Sequence, residues 1–88
     1  MTWKVIFLAK AQKQLARLDA ATQKRILKFV NERLLASPDP RSFGKPLVGE
    51  MQGLFRYRIG DYRLICQLQD QVVTILVLEV GHRREIYR

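Results

Sequence analysis

The sequence is poor in residues that staple or ligate: it holds one cysteine, Cys66, and one histidine, His82, among 88 residues. One cysteine closes no internal disulfide, which excludes a disulfide-stapled secreted module. One Cys and one His cannot supply the four ligands of a structural zinc, so no metal site is expected. Long apolar runs are missing too. The longest, Val72–Leu78 and Val5–Ala9, fall short of the ~18–20 residues a membrane span needs, so no membrane association is expected. The opening Met1-Thr2-Trp3-Lys4 leads straight into an apolar run with no small-residue cleavage site. A signal peptide is therefore not expected, and a reduced, cytoplasmic compartment is. The length leaves no room for a cofactor domain beside a substrate domain, so one domain over residues 1–88 and no cofactor are expected.

Acidic residues are scarce. Eight Asp and Glu face sixteen Lys and Arg, giving a net charge of +8. That balance favours a polyanionic partner, either nucleic acid or an acidic protein. The kind of base changes along the chain: five Lys and three Arg in residues 1–40, one Lys and seven Arg in residues 41–88. Arginine presents a planar fork that fits phosphate bidentately, whereas lysine is a hydrated point charge. Phosphate chemistry is thus sought in the second half.

Apolar residues make up 48%, enough for a packed core. Trp3–Leu8 is rich in β-branched and aromatic residues and predicts a strand. Leu8, Ala11, Leu15 and Leu18 recur at helical spacing and predict a helix over 9–18. Asp19 is placed to cap a second helix over about 20–36, whose stripe is Ile26, Leu27, Phe29, Val30 and Leu34. Ser37-Pro38-Asp39-Pro40 stops it, because proline lacks the N–H and biases its predecessor away from helix. Residues 41–53 read as a loop. The period then drops to two over Leu54–Ile59 and Tyr62–Gln69, joined by a two-residue hairpin turn at Gly60-Asp61. A second turn is predicted at Asp70-Gln71, before a nearly continuous apolar strand over Val72–Val80. The order β-α-α-β-β-β predicts an α+β fold with a two-helix hairpin on one face of a small, mainly antiparallel sheet.

A two-residue turn at Gly60-Asp61 sets Arg58 directly opposite Arg63, with Arg56 one step along the same face. Opposed like charges are destabilising, and are best tolerated where an anion sits between them. If the second turn also has two residues, Leu78 pairs with Arg63. Val80 and His82 then project from that same face, and Arg83 and Tyr87 reach its rim. Cleavage of RNA through the ribose 2′-hydroxyl needs a proton acceptor, a proton donor and cations for the pentavalent phosphate. Arginines, an imidazole and a phenol are those types, and no carboxylate cluster offers a two-metal alternative. Each signal also has a structural reading. The arginines could be solvated surface, His82 incidental and Tyr87 packing. Cys66 reads as a small core residue and Trp3 as a core or edge anchor.

At these residues the chain resembles the RelE toxins of the RelE/ParE superfamily of bacterial toxin–antitoxin modules. The resembling text is Lys45-Pro46-Leu47-Val48-Gly49-Glu50, then Gly53 through Arg63, then Val80-Gly81-His82-Arg83-Arg84-Glu85-Ile86-Tyr87-Arg88. The Gly-Asp-Tyr-Arg hairpin is shared with the ParE branch, and the His82–Tyr87 tail is more typical of the RelE branch. The resemblance implies a metal-independent endoribonuclease that cuts mRNA in the A site of the 70S ribosome and is inhibited by a RelB-like antitoxin. Its site residues fall on Arg56, Arg58, Arg63, Arg83 and Tyr87. Arg56 and Arg58 stand where the best-known members carry lysines. An arginine stabilises charge but is a poor proton carrier. His82 then becomes the expected proton carrier. The ParE branch implies the alternative, inhibition of DNA gyrase by binding, without a nuclease site.

Overall fold

A computed structural model of the chain describes residues 3–86. The elements in chain order are β1 (Lys4–Phe7), α1 (Ala9–Ala16), α2 (Ala20–Phe29), β2 (Lys45–Pro46), β3 (Phe55–Ile59), β4 (Tyr62–Gln69), β5 (Thr74–His82) and α3 (Arg83–Ile86). One wide π-type segment, Val30–Leu34, prolongs α2. The strands lie side by side in the order β1-β5-β4-β3-β2. β1 runs parallel to β5, and the other three pairings are antiparallel. This is the expected α+β architecture, with two additions: β2, inside the segment read as a loop, and the short α3.

The core lies between the helices and one sheet face. Ala11, Ile26, Val30 and Leu34 from the helical side meet Tyr57, Ile59, Leu64, Cys66, Leu68, Ile75, Val77 and Val80, with Trp3 at the margin. The predicted alternation of β3 and β4 is what delivers these side chains to one face. Asp19 starts α2: its carboxylate accepts from the Thr22 N–H at 3.2 Å and from Thr22 Oγ1 at 2.6 Å. Those contacts hold the Asp19 carboxyl below the usual carboxylate range, as expected of an N-cap.

The proline segment after α2 is strapped down. Tyr57 is fully buried, and its hydroxyl donates to the Pro40 carbonyl at 2.7 Å. Burial pushes that phenol well above its ordinary pKa. Gly44 passes so close that a Cβ there would lie 2.8 Å from two Tyr57 ring carbons. Arg41 forks onto Asp70 with two bonds of 2.7 and 2.6 Å, tying this segment to the β4–β5 connection. The Arg41 hydrogen bonds hold the Asp70 carboxyl below its usual range.

β1 covers only Thr74–Val77 of β5. Beyond that, α1 takes over the edge: Gln14 Oε1 accepts from the Val80 N–H at 2.7 Å, and Lys10 meets Glu79 at 3.2 Å. A backbone donor that a strand would have satisfied is thus satisfied by a helix side chain.

The second hairpin departs from expectation. The strands close at Gln69 opposite Thr74, so four residues connect them, not two. The connection is a 3₁₀ turn over Asp70–Val72 followed by Val73 in the left-handed region at φ 47°. A β-bulge follows: Cys66 faces Val77 but Ile65 faces Glu79, which leaves Leu78 as the extra residue. Arg63 therefore faces Gly81, not Leu78, and Tyr62 faces His82. Two added turn residues alone would preserve the faces. The single bulge residue inverts them. Val80 accordingly points into the core. His82 falls on the helix-side face with Tyr62, not on the arginine face.

Candidate functional site

The β3–β4 hairpin forms as predicted, with Ile59 opposite Tyr62 and Arg58 opposite Arg63. Gly60 occupies the left-handed region at φ 58°, the conformation a tight two-residue turn demands. The opposed arginines resolve their repulsion by taking different environments. Arg58 is exposed to water. Arg63 is only 6% exposed and folds back on the turn, its Nη1 donating to the carbonyls of Gly60 and Tyr62, both at 2.9 Å. Backbone carbonyl dipoles thus solvate the inner cation, leaving the outer one to water. Arg56, half-buried, continues the row one step along the strand.

The hairpin tip also holds the tail. The Asp61 carbonyl accepts from the Arg83 N–H at 2.8 Å, seating α3 against the turn. His82 caps this segment: its Nδ1 accepts from the Arg84 N–H at 3.2 Å. Nδ1 as acceptor places the proton of the neutral ring on Nε2. The imidazole stands edge-on to Tyr62, with centroids 5.5 Å apart and planes at 81°. His82 thus hydrogen-bonds the tail. Arg83 and Arg84 are exposed beside the tip. Tyr87 lies outside the described residues. Cys66 sits fully buried in the core, and burial pushes its thiol up to about 12.

One basic residue near the hairpin escaped the sequence. Arg25 of α2 reaches over the turn, with Nη2 2.6 Å from where a Cβ on Gly60 would lie. The available signal was its place four residues before Phe29, on the border of the apolar stripe. The hairpin thus joins Arg56, Arg58 and Arg63 on one side, Arg25 over the tip and the Arg83 backbone at its end. Such a site can bind and charge-stabilise a phosphate. Among the described residues no cluster of three His, Cys, Asp or Glu is placed to hold a metal ion, and no helix is long and apolar enough to cross a membrane.

A two-helix layer on a five-stranded sheet, with an arginine-bearing hairpin at one end, is the architecture of a known class of small toxins. The family model described as the ParE toxin of type II toxin–antitoxin system, parDE, matches residues 5–87. The chain belongs to this family of type II toxin–antitoxin toxins, on its RelE side. It is 35% identical over 88 residues to Toxin RelG of Mycobacterium tuberculosis, covering 100% of this chain and 99% of that protein. It is 31% identical over 84 residues to Toxin RelE of the same organism, covering 96% of this chain and 84% of that one. In solved structures, a chain of the M. tuberculosis toxin–antitoxin complex RelBE2 superposes with a TM-score of 0.85 at 31% identity, covering 94% of this chain and 100% of that chain.

Proposed function

We propose that this toxin is an endoribonuclease that cuts mRNA on the 70S ribosome, through attack by the ribose 2′-hydroxyl. The observation that carries the reading is the exposed Arg58 backed by the carbonyl-solvated Arg63. An exposed guanidinium with a second cation held behind it on backbone carbonyls suits a phosphate that gains charge in the transition state. Arg58, Arg56 and Arg83 meet the phosphate. Arg63 fixes the turn and adds positive charge beneath them. Proton exchange falls to Tyr87 or, from the helix-side face it shares with Tyr62, to His82 through Nε2. The hairpin presents little concavity of its own, and the ribosome supplies orientation, worth roughly 7–11 kcal/mol in favourable cases. An acidic, RelB-like antitoxin inhibits by covering this basic surface; the solved RelBE2 neighbour, a toxin–antitoxin complex, supports an antitoxin partner. The site of action is the cytoplasm, where ribosomes and mRNA are.

The test is 5′-end mapping of translated mRNA after addition of the purified toxin, run beside a gyrase supercoiling assay. Cuts within codons of translated message, with gyrase untouched, are expected. Rapid cutting of free RNA, or inhibition of supercoiling without cuts, would refute the proposal. His82→Gln then divides the proton roles, since glutamine keeps a hydrogen bond but carries no proton. A proton-carrying His82 loses ~10²–10⁴ in single-turnover rate. Near wild-type cutting by His82→Gln together with a dead Tyr87→Phe gives the role to Tyr87.

A further inference from the structure

β5 ends in two residues that face opposite ways: Gly81 pairs with Arg63, and His82 pairs with Tyr62. On the arginine face, this end of β5 therefore offers a phosphate no side chain. The imidazole projects from the other face, where Tyr62 and its partner Ile59 pack toward the core. Two contacts fix the ring there. It stands edge-on to Tyr62, with centroids 5.5 Å apart. Its Nδ1 accepts from the Arg84 N–H at 3.2 Å.

The Nδ1 contact falls at a weak point of the fold. α3 has four residues, Arg83–Ile86. A helix so short does not hold its own shape, because nucleation costs more than one turn of hydrogen bonds returns. Its first N–H groups have no partner inside the helix. Here two of them are met from outside. The Asp61 carbonyl takes the Arg83 N–H at 2.8 Å, and the imidazole takes the Arg84 N–H. His82 thus stands at the N-cap, where a side chain accepts from the second N–H of a helix. Asp61 ties the tail to the hairpin tip at one atom, and His82 sets the turn in which the chain leaves it. Tyr87 follows Ile86 in the sequence, so the segment leading to Tyr87 starts from this capped turn. We propose that His82 is a positioning residue, which acts through the tail: by capping α3 with Nδ1 it aims Arg83 and Tyr87 at the arginine row. The proposal rests on the nuclease reading above, and it leaves proton exchange to Tyr87. The role needs only an acceptor at the place of Nδ1. A proton carrier must also gain and lose a proton beside the reacting oxygen, and His82 projects from the face opposite the arginine row.

The test compares the full-length wild-type toxin with His82→Ala and His82→Asn. Asparagine sets an oxygen where Nδ1 lies, one bond nearer the backbone than glutamine does, and carries no proton. Alanine has no acceptor at all. Melting curves confirm that each variant is folded. Amide exchange at Arg84, measured by NMR, reads the cap. Single-turnover cutting of ribosome-bound mRNA by the same preparations reads the reaction. In His82→Ala the Arg84 amide is expected to exchange roughly 3–30-fold faster, the span of a lost N-cap. Its cutting rate should fall by about 10–100-fold, as a small misplacement of reacting groups costs. His82→Asn is expected to rescue both, recovering most of what alanine loses. An asparagine variant that protects Arg84 yet cuts as poorly as the alanine variant means that the proton of His82 matters, and overturns the proposal. Unchanged Arg84 exchange in His82→Ala, or wild-type cutting by it, overturns the proposal as well. If the wild-type toxin cuts no mRNA, the nuclease reading falls and the role in cutting falls with it. Failure of the cap alone is told apart from that by the amide exchange, with the wild type still cutting.

Discussion

Truncating the two opposed arginines separates their roles. Arg58 is exposed, so Arg58→Ala removes a solvated side chain, relieves repulsion, and should leave stability within ~0.5 kcal/mol. Arg63 is different. Its Nη1 serves two turn carbonyls at 2.9 Å while the side chain is 6% exposed. Hydrogen bonds from a charged donor are each worth ~1.5–3 kcal/mol, and two acceptors sharing one nitrogen count as somewhat less than two bonds. Relief of the cross-strand repulsion returns roughly 0.2–1 kcal/mol. The net loss for Arg63→Ala is therefore about 2 kcal/mol. At ~4–8 °C per kcal/mol for a domain of this size, Tm should fall by ~8–16 °C. The sequence alone predicts the opposite for Arg63, a neutral or mildly stabilising change, because opposition is visible there and the carbonyl contacts are not. Thermal melting and mRNA cutting, measured on the same preparations well below both melting points, decide the matter. Arg58→Ala should lose ~10²–10³ in cutting rate at unchanged Tm. A stable Arg63→Ala, or an Arg58→Ala that cuts normally, would refute the division of labour.

Three further outcomes follow from the core and its straps. Gly44→Ala forces a methyl against the Tyr57 ring, which cannot swing away while its hydroxyl holds Pro40, and should lower stability by ~1–3 kcal/mol in denaturant titration. Gln14→Ala strips the acceptor from the Val80 N–H and should destabilise by ~1–2 kcal/mol, with faster amide exchange at Val80 measured by NMR. The Arg41 bonds depress the Asp70 pKa in the folded state, so their contribution is complete above the ordinary aspartate pKa and is lost as pH falls below it. Wild-type Tm should thus drop more steeply than that of Asp70→Asn on acidification below about pH 4. Parallel curves would show that Asp70 does not respond to the Arg41 contact.

Local signals were legible where they were sufficient. The Asp19 cap, the Gly60-Asp61 turn and the alternation of Tyr62–Gln69 each depend on a few neighbouring residues, and each stands where the sequence puts it. β2 was not legible, because Lys45 and Pro46 become a strand only by lying against Arg56 and Phe55. The position of His82 was not legible either. Val73 is a β-branched residue in a conformation it seldom adopts, so nothing at 70–73 announces a four-residue connection. The bulge at Leu78 sits inside an unbroken apolar run and leaves no mark in the pattern. For the candidate site, the arginine row could be read from the hairpin. Arg25 and the inward turn of Arg63 could not, since both depend on where a distant or partner group comes to lie.

The parallel pairing of β1 with β5 has a consequence for the chain's own synthesis. β1 is made before the other strands, yet Lys4 pairs with Thr74 of β5. β5, the inner strand between β1 and β4, is thus made after every other strand. Until it emerges, β1 has nothing to pair with, Gln14 has no Val80 to hold, and the tail bearing Arg83 has not reached the hairpin tip. Contacts of such long sequence separation form late. A nascent chain can assemble its helices and its first hairpin while remaining an unfinished sheet with an open seam. The edge contact of Gln14 and the seating of the tail on the hairpin tip therefore both wait on β5.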